Sequence, residues 1–120
     1  MKLAALALAC AVTLHAQVDL PTELEMIRQT EASVTIGARG EQGPWQMTRA
    51  NVARYGGCGW GEAMALMKDN EAALPRIGMP VSPYTIGLAW KLGITNLEHR
   101  QISTAAVRYA RRMRAAYLRQ

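Results

Sequence analysis

Glu31 is the acidic residue whose position is most suggestive of chemistry. An apolar stripe at helical spacing leads up to it, formed by Leu20, Leu24 and Ile27, and Glu31 occupies the next position of that stripe. Desolvation at such a position disfavours a charged carboxylate and favours the protonated acid. A carboxyl group that keeps its proton near neutral pH can act as a general acid. The alternative is a local ion pair with Arg28, one turn earlier.

A second acid, Glu41, stands in a glycine-rich segment shortly after this helix. The segment from residue 36 to residue 45 contains Gly37, Gly40, Gly43 and Pro44. This density excludes a helix and predicts a turn-rich loop or a tight hairpin. Cleavage of a glycosidic bond usually employs two carboxyl groups, one as acid and one as nucleophile or base. Glu41 is either that second carboxylate or a solvated loop residue.

Trp45 and Gln46 follow in the same segment and could bind a sugar. An aromatic face stacks on a sugar ring, and an amide forms hydrogen bonds with hydroxyl or acetamido groups. Trp45 suits this role and core packing equally well. A glutamine in an otherwise apolar junction between a turn and a helix needs a hydrogen-bond partner, which favours a binding role for Gln46.

Four segments of the chain resemble, in order, those of one protein family. Residues 27–33 read IRQTEAS, residues 40–47 read GEQGPWQM, residues 86–93 read IGLAWKLG, and residues 106–117 form an arginine-rich segment that contains a tyrosine. This order is similar to that of the lysozyme-like superfamily of lytic transglycosylases and goose-type lysozymes. In that family a helix ends in a glutamate followed by a small residue. A glycine-rich turn then leads to an aromatic residue or Met, a Gln and an aliphatic residue.

The resemblance implies roles for individual residues. Glu31 would be the catalytic acid, and Gln46 would lie on the substrate groove. Trp90 replaces the tyrosine of the family's Ala-Tyr-Asn-Ala-Gly segment, and Lys91 replaces its asparagine. Tyr109 matches a closing-helix tyrosine near the catalytic glutamate and is also compatible with an ordinary core position. The family's lytic transglycosylases cut without a nucleophilic carboxylate and close the product to a 1,6-anhydro ring, which would need only Glu31.

Helical patterning and helix-capping signals divide the chain into five predicted helices. The first contains the Leu20 to Glu31 stripe, with Glu23 and Glu25 expected to be exposed. The others run from near Thr48 to Gly56-Gly57, from about Trp60 to Ala73, from Ser82-Pro83 to Gly93, and from Ser103 or Thr104 onward. In the last helix the expected buried stripe is Ile102, Ala106, Tyr109, Met113 and Ala116. The predicted fold is therefore mainly α, a small lysozyme-like helical domain with a glycine-rich turn or short β-hairpin after the catalytic helix.

The first residues have the layout of a secretory signal peptide. Lys2 precedes an apolar stretch, and Ala16 stands before polar residues. We predict a signal peptide over residues 1–16, one lysozyme-like domain over residues 17–120, and export to the periplasm or the cell exterior. The alternative is a lipoprotein anchored through Cys10. After removal of residues 1–16, Cys58 would be the single cysteine left in the chain. An internal disulfide would be excluded, and a small apolar packing role is favoured for Cys58.

Basic residues are concentrated at the end of the chain. Residues 100–120 contain six arginines and no acid, whereas residues 17–99 contain nine acids and seven bases. The final helix carries Arg108, Arg111, Arg112, Arg114 and Arg119. This run is either a solvated face or a surface that attracts an anionic cell envelope.

The composition also limits the choice of partner. Nothing resembles a nucleic-acid-binding motif, and no spacing of His, Cys or acidic residues suits a metal, so neither nucleic acid nor a cofactor is expected. The predicted ligand is peptidoglycan or a related N-acetylated glycan, which the protein either cleaves or, as a non-catalytic lysozyme-like binding protein, only holds.

Overall fold

The computed structural model describes residues 18–31, 37 and 39–120, and this part of the chain is mainly helical, as predicted. Its helices are α1 (Leu20–Glu31), α2 (Arg49–Tyr55), α3 (Trp60–Arg76), α4 (Pro83–Leu92), α5 (Ile94–Glu98) and α6 (Thr104–Leu118). Within these residues there is no β-strand, and the predicted hairpin is reduced to an isolated antiparallel bridge between Gln42 and Met47. The predicted signal peptide, Cys10, and Ala32-Ser33 of the first motif lie outside the described residues.

Side-chain caps fix the starts of the helices where the sequence predicted them. In α4, Ser82 Oγ accepts from the Thr85 amide (3.1 Å) and Thr85 Oγ1 accepts from the Ser82 amide (2.9 Å), a reciprocal capping box. Thr48 caps α2 by accepting from the amide of Asn51. Ser103 caps α6 in the same way, accepting from the amide of Ala106 at 3.1 Å.

Two helix assignments differ from the sequence prediction. The stop at Ala73 is wrong, because α3 continues through Leu74 and Pro75 to Arg76. A proline in the last turn removes only one hydrogen-bond donor, and the buried Leu74 side chain holds this turn against the core. The short helix α5 was not predicted, since five residues are too few to show a helical period.

Helices α4 and α6 pack closely and carry much of the core. A β-carbon built on Gly87 of α4 would lie 3.2 Å from Ala110 Cα and 3.3 Å from Met113 Cβ on α6, so this contact depends on glycine. The predicted stripe on α6 is buried at Ala106, Tyr109 and Met113, and Ala116 packs against the core from a partly buried position. Ile102 is 37% exposed, and its predicted burial is wrong because it precedes the capping residue Ser103.

Helix α1 packs against α3 and α6 and buries its predicted stripe at Leu24 and Ile27. Its last residue, Glu31, is half-buried. The expected exposure of Glu23 is wrong, because its side chain is completely buried. None of the helices in the described residues is long and apolar enough to cross a membrane.

Candidate active site

A cleft of about 610 Å³ opens where the glycine-rich turn meets three helices. The contributing elements are the C-terminal ends of α1 and α4, the turn over residues 39–48, and the start of α6. Its lining combines charged, amide, hydroxyl and aromatic groups. The lining residues are Glu31, Gly37, Arg39, Glu41, Gln46, Thr48, Trp90, Lys91, Leu92, Ser103 and Ala105.

The glycine-rich turn is held by paired backbone hydrogen bonds. The amide of Gln42 donates to Met47 O (2.8 Å), and the amide of Met47 donates back to Gln42 O (2.9 Å). Gly43, at φ +78, begins the reversal, and its Cα faces Cys58, which a β-carbon would meet at 2.9 Å. Cys58 is partly buried against the core, in agreement with the packing role predicted for it.

Gln46 lies at the end of this turn with a left-handed backbone. Its φ of 51° is uncommon for a residue other than glycine, and such strain persists only where the surroundings enforce it. Its Nε2 donates to Gly43 O at 2.8 Å, which points Oε1 toward Gly37. A β-carbon on Gly37 would lie 2.6 Å from that oxygen, so a larger residue there would displace the Gln46 amide. Gln46 therefore lines the cleft, and its amide also braces the turn.

Glu41 lines the same cleft as Glu31. One carboxylate oxygen, Oε2, accepts from the Arg39 amide at 3.0 Å. Hydrogen bonds from its own amide and from that of Arg39 hold the pKa of the Glu41 carboxyl below its usual value, with smaller contributions from the charges of Arg39 and Lys91. The cleft thus contains a carboxylate stabilised in its ionised form.

Glu31 is not engaged in the ion pair that the sequence left open. Arg28 instead binds Glu25, with Nε donating to Oε2 at 2.9 Å. The carboxyl of Glu31 lies at the mouth of the cleft, close enough to Tyr109 to act on its hydroxyl group. Glu31 can therefore meet a ligand directly.

The two tryptophans considered as sugar platforms have different positions. Trp90, on α4, lines the cleft, and its Nε1 donates to Trp45 O at 3.1 Å, which ties α4 to the turn. Trp45 is 7% exposed, and its Nε1 donates to Leu24 O of α1 at 2.9 Å. Trp45 is thus a core residue, and its assignment to the substrate-binding surface is corrected. Its contribution is to lock the turn onto α1.

Tyr109 lies behind the cleft and does not line it. It is 4% exposed, and its hydroxyl oxygen is buried without a well-formed hydrogen bond. Burial is the main cause that raises the pKa of this hydroxyl, followed by the nearby Glu31 carboxylate. Lys91 Nζ lies 5.4 Å from the centre of the Tyr109 ring, a cation–π contact. Direct substrate binding by Tyr109 is corrected to a supporting position beneath Glu31 and Lys91.

Sequence reasoning missed three polar residues that line the cleft. Thr48 and Ser103 were recognisable only as helix caps, and the same positions bring both to the cleft wall. Arg39 could have been suspected from its place beside Glu41 in the glycine-rich turn. No group of three or more His, Cys, Asp or Glu residues that could hold a metal ion occurs among residues 18–31, 37 and 39–120. Comparison with family models, curated proteins and solved structures finds no match to this chain.

Proposed function

We propose that the protein is an exported glycan-cleaving enzyme that acts on peptidoglycan or a related N-acetylated glycan. Glu31 is its general acid and base, and the reaction is lytic transglycosylation or hydrolysis. The observation that carries the proposal is the shared cleft of Glu31, Glu41, Gln46 and Trp90. These groups come from α1, the glycine-rich turn and α4, and together they supply acid, carboxylate, amide and aromatic functions.

The cleft suits a sugar chain in both shape and chemistry. The Trp90 ring offers a stacking surface that is fixed by the hydrogen bond of its indole to the turn. In the same cleft, Gln46 offers a polar anchor on a strained, braced backbone. Cleavage requires a bound glycan to present its linking oxygen to Glu31, whose proton the departing sugar oxygen needs.

Glu41 can support this reaction without forming a covalent bond. Its backbone hydrogen bonds favour the ionised form, and an anion in the cleft stabilises the positive charge that develops on the sugar ring in the transition state. The same carboxylate could instead activate water. The end groups of the products distinguish these roles, since 1,6-anhydro ends need no activated water.

A second candidate function is binding of glycan strands without cleavage. Lys91 favours the binding function. It lines the cleft over the Tyr109 ring, at the position where the lysozyme-like family has an asparagine. An asparagine can both donate and accept hydrogen bonds, whereas a lysine only donates them and adds a positive charge. The two functions differ in one observable, the release of soluble fragments from peptidoglycan.

The test is incubation of the purified protein with peptidoglycan, followed by mass spectrometry of the soluble fraction. We expect disaccharide-containing fragments with 1,6-anhydro ends. Retention of the protein on the polymer with no soluble fragments would support the binding function and overturn the enzymatic one.

Export is part of the proposal and has its own measurement. Intact mass of the protein recovered from its host should correspond to a chain that begins at Gln17 and carries no lipid. A chain that begins at an acylated Cys10 would contradict this and indicate a membrane-anchored lipoprotein.

A further inference from the structure

The arginines of α6 form an exposed cationic surface without acidic partners. Arg108, Arg111, Arg112, Arg114 and Arg119 are all exposed. In the part of the chain that the structure describes, the one ion pair within 4.0 Å is between Arg28 and Glu25, so none of the α6 arginines is neutralised in this way.

Three of these arginines share one face of the helix with a residue of the cleft wall. Ala105 lines the cleft, and Arg108 and Arg112 follow it at i+3 and i+7 on one side of α6. Arg119, the residue that caps the C-terminus of α6 with a helical backbone, continues the same side at i+14. At 1.5 Å per residue, this row extends about 21 Å from the cleft along α6. We call Arg108, Arg112 and Arg119 the basic row.

The remaining two arginines of α6 differ in their relation to the basic row. Arg111 follows Arg108 at i+3 and therefore borders the row. Arg114 lies on another side of the helix and stacks on the ring of Tyr84, with 5.2 Å between the guanidinium carbon and the ring centre. Exposed arginines on other helices therefore serve as controls.

The cleft at the end of the row contains two further cations, Arg39 and Lys91, together with the carboxyl groups of Glu31 and Glu41. A neutral glycan would gain nothing from a basic row that leads out of such a cleft. A strand with carboxylates along its length would gain attraction at each of them.

We propose that the basic row extends the cleft and binds carboxylate groups of an anionic glycan strand while part of that strand occupies the active site. The inference rests on the proposed function and narrows its substrate to glycans that carry carboxylates, either on the sugars or on peptide branches.

A soluble polymer fits this surface better than a lipid bilayer. A helix that binds at a membrane interface inserts an apolar face beside its basic one. The apolar face of α6 is already used in the core, where Ala106, Tyr109, Ala110 and Met113 are buried. The basic row thus has no adjoining apolar face to insert, and a carboxylate-bearing polymer needs none.

The test measures binding in a Glu31→Gln background, so that cleavage does not consume the probe. The test variant adds Arg108→Gln and Arg112→Gln, and the control adds Arg54→Gln and Arg76→Gln, which remove the same charge at exposed positions on other helices. Three soluble probes are compared by fluorescence anisotropy: strands with peptide branches, the same strands stripped of peptides, which keep only sugar-borne carboxylates, and a neutral chitooligosaccharide. Equal melting temperatures establish that both variants fold.

We expect the test variant to bind peptide-bearing strands about tenfold more weakly than the control at low salt, because each of the two exposed charges contributes on the order of threefold to binding. The difference should fall below about twofold at 0.5 M salt, where screening is strong. Affinity for the neutral oligosaccharide should be the same in both variants. A loss that persists with the stripped strands assigns the contact to sugar-borne carboxylates, and a loss confined to branched strands assigns it to the peptides.

Several results would overturn the inference. One is an equal loss of affinity in the test and control variants, and another is an equal loss of affinity for the neutral oligosaccharide. The third is an effect of the basic row that appears only when phosphatidylglycerol vesicles replace the soluble probes. Failure of the proposed enzymatic function would appear separately, as a wild-type protein that releases no fragments from peptidoglycan while the binding difference remains.

Discussion

Two of the three glutamates of helix α1, Glu23 and Glu31, have contrasting environments. Glu23, in the first turn, is completely buried, and neither carboxylate oxygen has a hydrogen-bond partner. Glu31, the last residue of the helix, is half-buried at the wall of the cleft. The two residues are about 12 Å apart along the helix axis. The same side-chain chemistry is thus present once inside the protein and once at its surface.

The contrast separates two requirements for a catalytic acid. Burial raises the pKa of the Glu23 carboxyl to about 8, so this group keeps its proton at neutral pH. It has no access to a ligand, however, and cannot deliver that proton to a substrate. Glu31 has access. A perturbed acid is therefore insufficient to identify a catalytic residue, and position on the cleft must decide.

The largest expected effect is that of Glu31→Gln on activity. Glutamine keeps the volume of the acid but has no proton to transfer, and general acid catalysis contributes about 10²–10⁴-fold. The rate of fragment release from peptidoglycan should fall by that factor, while the melting temperature and glycan binding stay nearly unchanged. Glu25→Gln is the control and should retain full activity, since Glu25 pairs with Arg28 away from the cleft.

Two results would break the assignment of Glu31. A variant that still cuts at more than about a tenth of the wild-type rate would lose less than the smallest effect expected for a general acid. A variant that unfolds would instead identify Glu31 as a structural residue and favour the binding function.

The next effect is that of Glu23→Gln on stability, and it depends on pH. Unfolded Glu23 loses its proton near its ordinary pKa of 4.5, whereas the folded protein keeps it up to about pH 8. Between these values the folded state holds one more proton, so its free energy of unfolding decreases as the pH rises, by up to about 5 kcal/mol. Glu23→Gln removes this dependence and should be more stable than wild type at pH 9.

Urea unfolding of both proteins at pH 5, 7 and 9 measures this effect as the difference between them. Glu25→Gln provides a control of opposite sign. Its hydrogen bond to Arg28 lowers the pKa of the Glu25 carboxyl, so its small stabilisation is present above pH 4.5 and is lost as the pH falls. Because solvent reaches both side chains and screens the pair, this contribution should be small. If the free energies of unfolding of the wild type and of Glu23→Gln changed with pH in the same way, Glu23 would ionise as freely in the folded protein as in the unfolded one.

The burial of Glu23 also marks a limit of sequence reasoning. The sequence predicted α1 correctly from Leu24 and Ile27, because apolar spacing reports which face a helix buries. Glu23 lies beside that face, and a charged residue type at its edge predicts exposure. Whether the Glu23 side chain is covered depends on how α3 and α6 pack against α1. The spacing of residues within one helix carries no information about that packing.

The glycine-rich turn marks the same limit within the cleft. Its glycines and Pro44 predicted irregular structure after α1, and the closeness of Glu41 and Gln46 in sequence predicted that they share one site. Trp45 stands between these two residues, yet its side chain enters the core and bonds to Leu24 O. Neighbours in a turn point in different directions, and only the φ values of Gly43 and Gln46 determine which of them faces the cleft.

A smaller effect is expected for Glu41→Gln, which asks whether Glu31 works alone. Glutamine retains an oxygen that can accept from the Arg39 amide, so the turn should keep its shape. Loss of the negative charge should lower the rate of fragment release less than tenfold, and the products should still end in 1,6-anhydro sugars. Mass spectrometry of the fragments provides the measurement. Reducing-end products together with an inactive Glu41→Gln would assign the water-activating role to Glu41.

The smallest expected effect is that of Tyr109→Phe, which tests the residue between the two glutamates. The carboxyl groups of Glu31 and Glu23 both lie near the Tyr109 hydroxyl, which is buried without a good hydrogen bond. Removal of an unsatisfied buried hydroxyl should leave the free energy of unfolding unchanged or raise it by about 1 kcal/mol. The ring remains, so the cation–π contact with Lys91 is retained.

If the hydroxyl orients Glu31, Tyr109→Phe should lower kcat a few-fold with little change in KM, because it does not touch the ligand. Leu97→Ala, a core truncation away from the cleft, is the matched control and should cost about 2–5 kcal/mol of stability. A Tyr109→Phe protein that keeps full kcat would make Tyr109 a packing residue only. A Tyr109→Phe protein that loses as much stability as Leu97→Ala would reveal that the Tyr109 hydroxyl forms a hydrogen bond. Such a bond would link Tyr109 on α6 to a glutamate of α1.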